Sequence, residues 1–219
     1  MADLPDIVPL FPLPNLVLFP GTTVPLHIFE PRYREMITDA AASHGIIGMV
    51  MLRGVWEREY YAEPHNYSQT DIFGVGCAGR VSALERLPDG RFNLHLRGLR
   101  EFRIRREIRE RAYRQAEVDW CASPELRMSP HEMAALHDLL TRSLGANAEQ
   151  AWSALVEGQG LRDADLVNFL CFHLDIAPIE KQTLLEALEA RTSCLLDVLT
   201  FKSEERKFGP GGSGNSTVN

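Results

Sequence analysis

Apolar positions come in short blocks near the start of the chain and in helical stripes toward its end. From Ile7 to Tyr33 the sequence reads IVPLFPLPNLVLFPGTTVPLHIFEPRY, with apolar runs at Ile7–Leu10, Leu16–Phe19 and Val24–Phe29 cut apart by prolines and one glycine. Short apolar, partly β-branched runs bounded by Pro, Asn or Gly predict buried strands. Pro20-Gly21 is turn chemistry. Glu30-Pro31 opens a helix with proline at its first position, and Tyr33, Met36, Ile37, Ala40 and Ala41 recur at helical spacing on one face. Ser43-His44-Gly45 stops that helix, and the continuous apolar run Ile46–Leu52 predicts a central strand.

The segment from Arg53 to Asp71 breaks the pattern and predicts a long loop carrying Trp56, Tyr60, Tyr61 and Tyr67. Ile72–Leu87 returns to strand, Pro88-Asp89-Gly90 makes a hairpin turn, and Arg91–Arg97 alternates through Phe92, Leu94 and Leu96. Gly98 marks a bulge, and Glu101–Arg111 and Tyr113–Trp120 read as two further strands. Residues 1–122 are therefore expected to form a β-rich lobe, a twisted, partly closed, barrel-like sheet with one helix. Ser129-Pro130-His131-Glu132 is a capping box that starts a helix with the stripe Met133, Leu136, Leu140 and Leu144, stopped by Gly145. Helical spacing continues through Asn147–Glu157, Asp163–Leu174, Ile179–Leu188 and Arg191–Lys202, so residues 123–208 predict a bundle of about five helices. The Gly/Ser-rich stretch 209–219 predicts a disordered tail. The fold class expected is α+β.

Charge narrows the functional classes. The net charge is −7, and the chain holds three lysines, Lys181, Lys202 and Lys207. That balance weighs against a dedicated nucleic-acid binder. Seven arginines fall between Arg100 and Arg114, but parity puts Phe102, Ile104 and Ile108 on one face and Arg103, Arg105, Glu107, Arg109 and Arg111 on the other. This is the pattern of a half-buried strand with a solvated face. Prolines interrupt the apolar opening, so it does not read as a membrane span. Cys77, Cys121, Cys171 and Cys194 are dispersed without a C-x-x-C pair, which predicts buried, reduced thiols. The acidic N-terminus lacks a signal-peptide pattern, and the cytoplasm is the expected compartment.

Candidate chemistry is sparse. His131 and His137 are six apart, whereas two zinc ligands on one helix face need a spacing of four. No phosphate-binding G-x-x-x-x-G-K-[ST] and no G-x-S-x-G nucleophile elbow occur. GVGCAG at Gly74–Gly79 is flanked by strand on both sides, unlike a dinucleotide fingerprint. No catalytic residue, cofactor or metal ligand is assigned. The aromatics Trp56, Tyr60, Tyr61 and Tyr67, flanked by charge, are the candidate partner-binding residues.

Four ordered blocks carry a family resemblance: PLFPLPNLVLFPGTTVPLHIFEPRYREM, then GIIGMVM, then GVGCAGRVSALERLPDGRFNLHLRGLREFRI and YRQAEVDW. With the helical LVNFLCFHLDIAPIEKQTLLEALEARTSCLLDVL, they resemble the N-terminal, substrate-binding domain of Lon proteases. FEPRYR looks most like the stand-alone bacterial members and the Lon-like domain of cereblon. The resemblance implies a PUA-like β lobe followed by a helical lobe, with protein or unfolded polypeptide as partner. It implies no catalytic site in this domain; Lon's Walker and Ser–Lys motifs do not occur in these residues. The expected function is a non-enzymatic protein-binding module, with homodimerisation left open. Two alternatives remain, an enzyme with a site between the lobes and an RNA-interacting PUA-like module.

Overall fold

A computed structural model describes residues 4–54, 71–122, 126–144 and 148–208. The predicted loop aromatics Trp56, Tyr60, Tyr61 and Tyr67 and the predicted tail 209–219 lie outside the described residues. The architecture is α+β, as expected. Six strands, β1 (Ile7–Leu13), β2 (Thr23–Ile28), β3 (Ile46–Met51), β4 (Val75–Arg86), β5 (Phe92–Ile108) and β6 (Gln115–Trp120), form one mixed sheet in the order β2-β5-β4-β3-β1-β6. β6 also pairs with β5, so the ladders run in a circuit through β1, β3, β4, β5 and β6. The helices are α1 (Pro31–Ala41), α2 (Pro130–Leu144), α3 (Ala148–Ser153), α4 (Asp163–His173), α5 (Pro178–Glu186) and α6 (Arg191–Phe208). A π-helical turn, Ala154–Gly158, extends α3.

The chain forms two compact units, one of residues 1–123 and 168–186, the other of residues 124–167 and 187–219. The first holds the sheet, α1 and α5. Its β1 carries Pro9 and Pro12, normally excluded from strand interiors because they lack an N–H. The registers explain the tolerance. Ile7–Pro9 ladder to β6 and Leu10–Leu13 to β3, so each half of β1 is laddered on one side. Phe102 of β5 is fully buried amid Val8, Leu10, Ile46, Val50, Ala78, Ala116 and Val118. Its ring occupies space that a Cβ at Gly48 or Gly76 would enter, at 2.7 and 2.8 Å. α1 starts at Pro31 and buries Tyr33, Met36, Ile37 and Ala40 as predicted, while Ala41 is exposed at its end. Gly45, at φ 66°, closes it with a bond from its N–H to the Ala40 carbonyl, 2.8 Å. α5 is tied to the sheet by Gln182, whose Nε2 donates to the Val75 carbonyl at 3.0 Å.

The structure corrects three local expectations. Leu16–Phe19 is not a strand, although Val17, Leu18 and Phe19 are buried. The Thr22 hydroxyl bonds the Phe19 carbonyl at 2.7 Å, and the amides of Gly21 and Gly98 reach the carbonyls of Gly98 and Thr22, so local bonds replace a ladder. Arg91–Arg97 and Glu101–Arg111 are joined as the single strand β5, which absorbs the predicted Gly98 bulge as a register shift against Ala78/Gly79. A second shift, between Ile104 and Arg106, inverts the parity beyond it. Glu107, not Ile108, then lies opposite the buried Ala116, and Arg105 and Arg106 are both exposed.

In the second unit the capping box forms as predicted. The Glu132 carboxylate accepts from the Ser129 amide at 2.7 Å, and the Ser129 hydroxyl accepts from the Glu132 amide at 3.2 Å. Leu136 and Leu140 of the predicted stripe are buried, joined by Leu139, with Met133 half-buried. α2 packs on α6, which buries Leu195 and Leu199.

Three outcomes follow from this packing. Gly76→Ala puts a Cβ 2.4 Å from the Met49 carbonyl oxygen, and denaturant unfolding should show a loss of about 2–4 kcal/mol. Gly74→Ala, whose Cβ meets nothing within 4 Å, should change stability by about 0.5 kcal/mol or less. Tyr113, buried after β5, donates its hydroxyl to Asp39 of α1 at 2.7 Å. Burial first, and that bond second, push its pKa from 10.0 up to about 12. Tyr113→Phe should cost about 1 kcal/mol at neutral pH. The wild-type advantage is full below pH 10 and disappears as pH climbs to about 12. Stability measured across that window checks both the size and the sign.

Candidate functional site

The sharp passage from β2 into α1 builds a cleft on the first unit. β2 ends at Ile28, and Glu30 is extended (φ −66°, ψ 134°) before Pro31 fixes the first helical residue. That corner leaves Phe29 58% exposed, an unusual state for a large ring beside an ordered core. Phe11, Leu13, Leu26, Phe29 and Tyr33 supply apolar walls to a cleft of about 130 Å³, and His27, Glu30 and Arg32 supply polar atoms. Small-molecule sites usually measure roughly 300–1,000 Å³, whereas a void of about 150 Å³ holds one benzene ring. The cleft therefore suits one side chain better than a cofactor.

The aromatic and polar lining residues are braced by neighbours. Phe11 meets the Tyr33 ring edge-on at 4.6 Å. Arg32 donates through Nε to Glu30 at 2.9 Å, and its guanidinium lies 4.5 Å from the Tyr33 ring centre. Glu30 and Arg32 thus form an ion pair at the helix start. His27 stacks on Phe29, with ring centres 6.3 Å apart. Arg91 donates to His27 Nε2 at 3.3 Å, so Nδ1 carries the proton and donates to Asn93 Oδ1 at 2.7 Å. Asp89 sits behind Arg91, whose backbone amide, together with its guanidinium, holds the carboxyl below its ordinary range.

A second cleft of about 100 Å³ adjoins the first across Arg32 and Tyr33. Arg109, Arg111, Ala112, Tyr113 and Arg114 line it. These residues lie beyond the end of β5, in the connection to β6. Alternation along the arginine run assigned Arg109 and Arg111 to a strand face; the end of β5 at Ile108 takes them off it. Three other arginines of the run are engaged by carboxylates. Arg105 is paired with Asp119 and Arg106 with Glu117, and these pairs hold both carboxyls below their ordinary range. Arg114 pairs with Glu107 at 2.7 Å.

Among the predicted partner residues, Trp56, Tyr60, Tyr61 and Tyr67 lie outside the described residues. The two ends of their segment are described and pinned together. The Arg53 amide donates to the Asp71 carbonyl at 2.7 Å, and the Arg53 guanidinium lies 4.7 Å from the Phe73 ring centre. Phe29 and Arg109 were missed as site residues. Phe29 reads as the last apolar residue of a strand, and the one signal that sets it apart is the Glu30-Pro31 helix start directly after it.

Away from the clefts, Lys181, His173 and His137 pack against structural partners. Burial lowers the pKa of Lys181 and His173, and Lys181 Nζ caps α4 by donating to the Phe172 carbonyl at 2.6 Å. His137 lies 3.2 Å from Glu149 and edge-on to Trp152 at 4.9 Å. Among the described residues no three His, Cys, Asp or Glu side chains gather as a metal site, and no helix is long and apolar enough to cross a membrane.

Comparison with known proteins places this geometry in a family. Lon protease 2 of Myxococcus xanthus is 26% identical over 94% of this chain and 25% of its own length. The Lon protease of Cytophaga hutchinsonii is 27% identical over 90% of this chain and 24% of its own. The chain thus spans about a quarter of the curated relatives it matches. A Lon N-terminal domain protein from Xanthomonas campestris superposes with a TM-score of 0.61 at 23% identity, covering 89% of this chain and 98% of that one. The N-terminal domain of Mycobacterium avium complex Lon protease gives 0.62 at 18% identity, covering 91% and 98%. At those identities the two structures establish a shared fold. The model of the ATP-dependent protease La (LON) substrate-binding domain matches residues 7–200, and the chain belongs to that family.

Proposed function

We propose that this domain binds protein substrates as unfolded or extended polypeptide, seating one apolar side chain of the substrate in the cleft beside Phe29 and Tyr33. The observation that carries the reading is the exposed Phe29 ring at the rim of a ring-sized apolar cleft, in a chain of the Lon substrate-binding family. Exposed aromatics braced by neighbours lose little side-chain entropy on binding and act as interface anchors. Trp56, Tyr60, Tyr61 and Tyr67 are proposed as further anchors for the same partner. The role is recognition without bond-breaking chemistry in this domain, in the cytoplasm. The carboxylates on Arg105, Arg106 and Arg114 weigh against the RNA-binding alternative, because phosphates would have to displace them.

A fluorescently labelled, permanently unfolded protein titrated with this chain should raise the anisotropy. Phe29→Ser should weaken that binding about tenfold, equivalent to about 1.4 kcal/mol. Its thermal unfolding should match wild type, since the ring it removes is exposed. Absence of binding by the wild-type chain, or full affinity in Phe29→Ser, rejects the cleft as the site.

A further inference from the structure

The two adjoining clefts differ in chemistry, and the difference specifies what the substrate segment must carry. The first is walled by apolar groups around Phe29. Across the shared Arg32 and Tyr33, the second is lined by three more arginines, Arg109, Arg111 and Arg114. Glu30 is the single carboxylate lining either cleft. In a chain of net charge −7, the groove gathers four arginines, and the acids within ion-pair reach of them are Glu30, Glu107 and Asp39, which leaves an excess of positive charge.

The arginines are not equivalent. Arg32 is neutralised by Glu30 at 2.8 Å and Arg114 by Glu107 at 2.7 Å, each largely withdrawn from solvent. They form the floor. Arg111 is exposed, with Asp39 a loose 3.8 Å away on a carboxylate that also accepts from Tyr113. Arg109 is exposed and has no ion-pair partner among the described residues. Neither belongs to a strand, so neither is held by a cross-strand acid as Arg105 and Arg106 are.

We infer that the groove selects polypeptide segments in which an apolar side chain lies within a few residues of a carboxylate. The apolar group enters the Phe29 cleft and the acid meets Arg109 and Arg111. This rests on the cleft being the substrate site and adds the chemical class that it prefers. Arginine suits the task because its planar fork can take a carboxylate through two parallel bonds. The preference is modest, because both guanidinium groups stay in contact with water. Two exposed pairs amount to about a fivefold preference at low salt, shrinking as salt screens them.

The test uses the full chain and two fluorescein-labelled peptides of identical apolar sequence, one ending its apolar stretch with Asp-Asp and the other with Asn-Asn. At low ionic strength the Asp-Asp peptide should bind about fivefold more tightly, and the gap should close at high salt. The double variant Arg109→Gln/Arg111→Gln should bind both peptides with the affinity wild type shows for Asn-Asn, and its unfolding curve should be unchanged. Equal binding of both peptides by wild type overturns the acidic preference while leaving the cleft reading intact. Failure of both to bind overturns the two together. Retention of the preference in the double variant overturns the assignment to Arg109 and Arg111. Displacement of the Asp-Asp peptide by a much lower concentration of single-stranded oligonucleotide would assign the cationic end to nucleic acid and overturn the proposal.

Discussion

Phe102 sits where strands from three parts of the chain converge, and its ring fits because Gly48 on β3 and Gly76 on β4 have no side chain beneath it. Close packing leaves no slack at such a point: a methyl group on either glycine meets the ring or the backbone below van der Waals distance. The surrounding side chains, Val8 and Leu10 of β1, Val50 of β3, Ala78 of β4, Ala116 and Val118 of β6, come from every strand that closes the circuit with β5. The steric match between one ring and two glycines therefore holds β1 between β3 and β6. With β1 fixed, its prolines find unladdered edges, and Phe11 at its far half reaches Tyr33 of α1.

The candidate groove depends on that frame at one remove. β5 is long enough to pair with β2 along its first half and β6 along its second. The β2 end carries Phe29, and the β6 end leads into the connection with Arg109 and Arg111. Tyr113 brings the two together by donating to Asp39, so the connection after β5 is anchored to the helix that follows Phe29. An apolar cleft and a cationic one thus share a wall, although their residues are about eighty positions apart in sequence.

Charge on this lobe divides by its engagement. Arg105 and Arg106 on the sheet face are matched with carboxylates across the strands, which makes them solvated structural pairs of small net energy. Past the strand end Arg114 is still withdrawn against Glu107, whereas Arg109 and Arg111 stand in solvent. A run that looks uniform in sequence has two roles, and Arg109 and Arg111, in the connection after β5, take the exposed one.

The sequence alone determined what depends on contacts a few residues apart. The capping box at Ser129–Glu132, the Pro-Asp-Gly turn, the Gly45 stop and the buried face Tyr33, Met36, Ile37 and Ala40 are legible because the partner groups lie within one or two turns of each other. The ordered blocks from FPG to the EKQ helix were enough to recognise the family. Tertiary structure decided the rest. The bulge near Arg105 inverted the parity that put Ile108 inside, Thr22 and Gly98 withdrew Leu16–Phe19 from any ladder, and the end of β5 at Ile108 freed Arg109 and Arg111 to stand beside Phe29's cleft. Each is set by which distant strand offers hydrogen bonds at a given edge, a quantity that residue patterning does not encode.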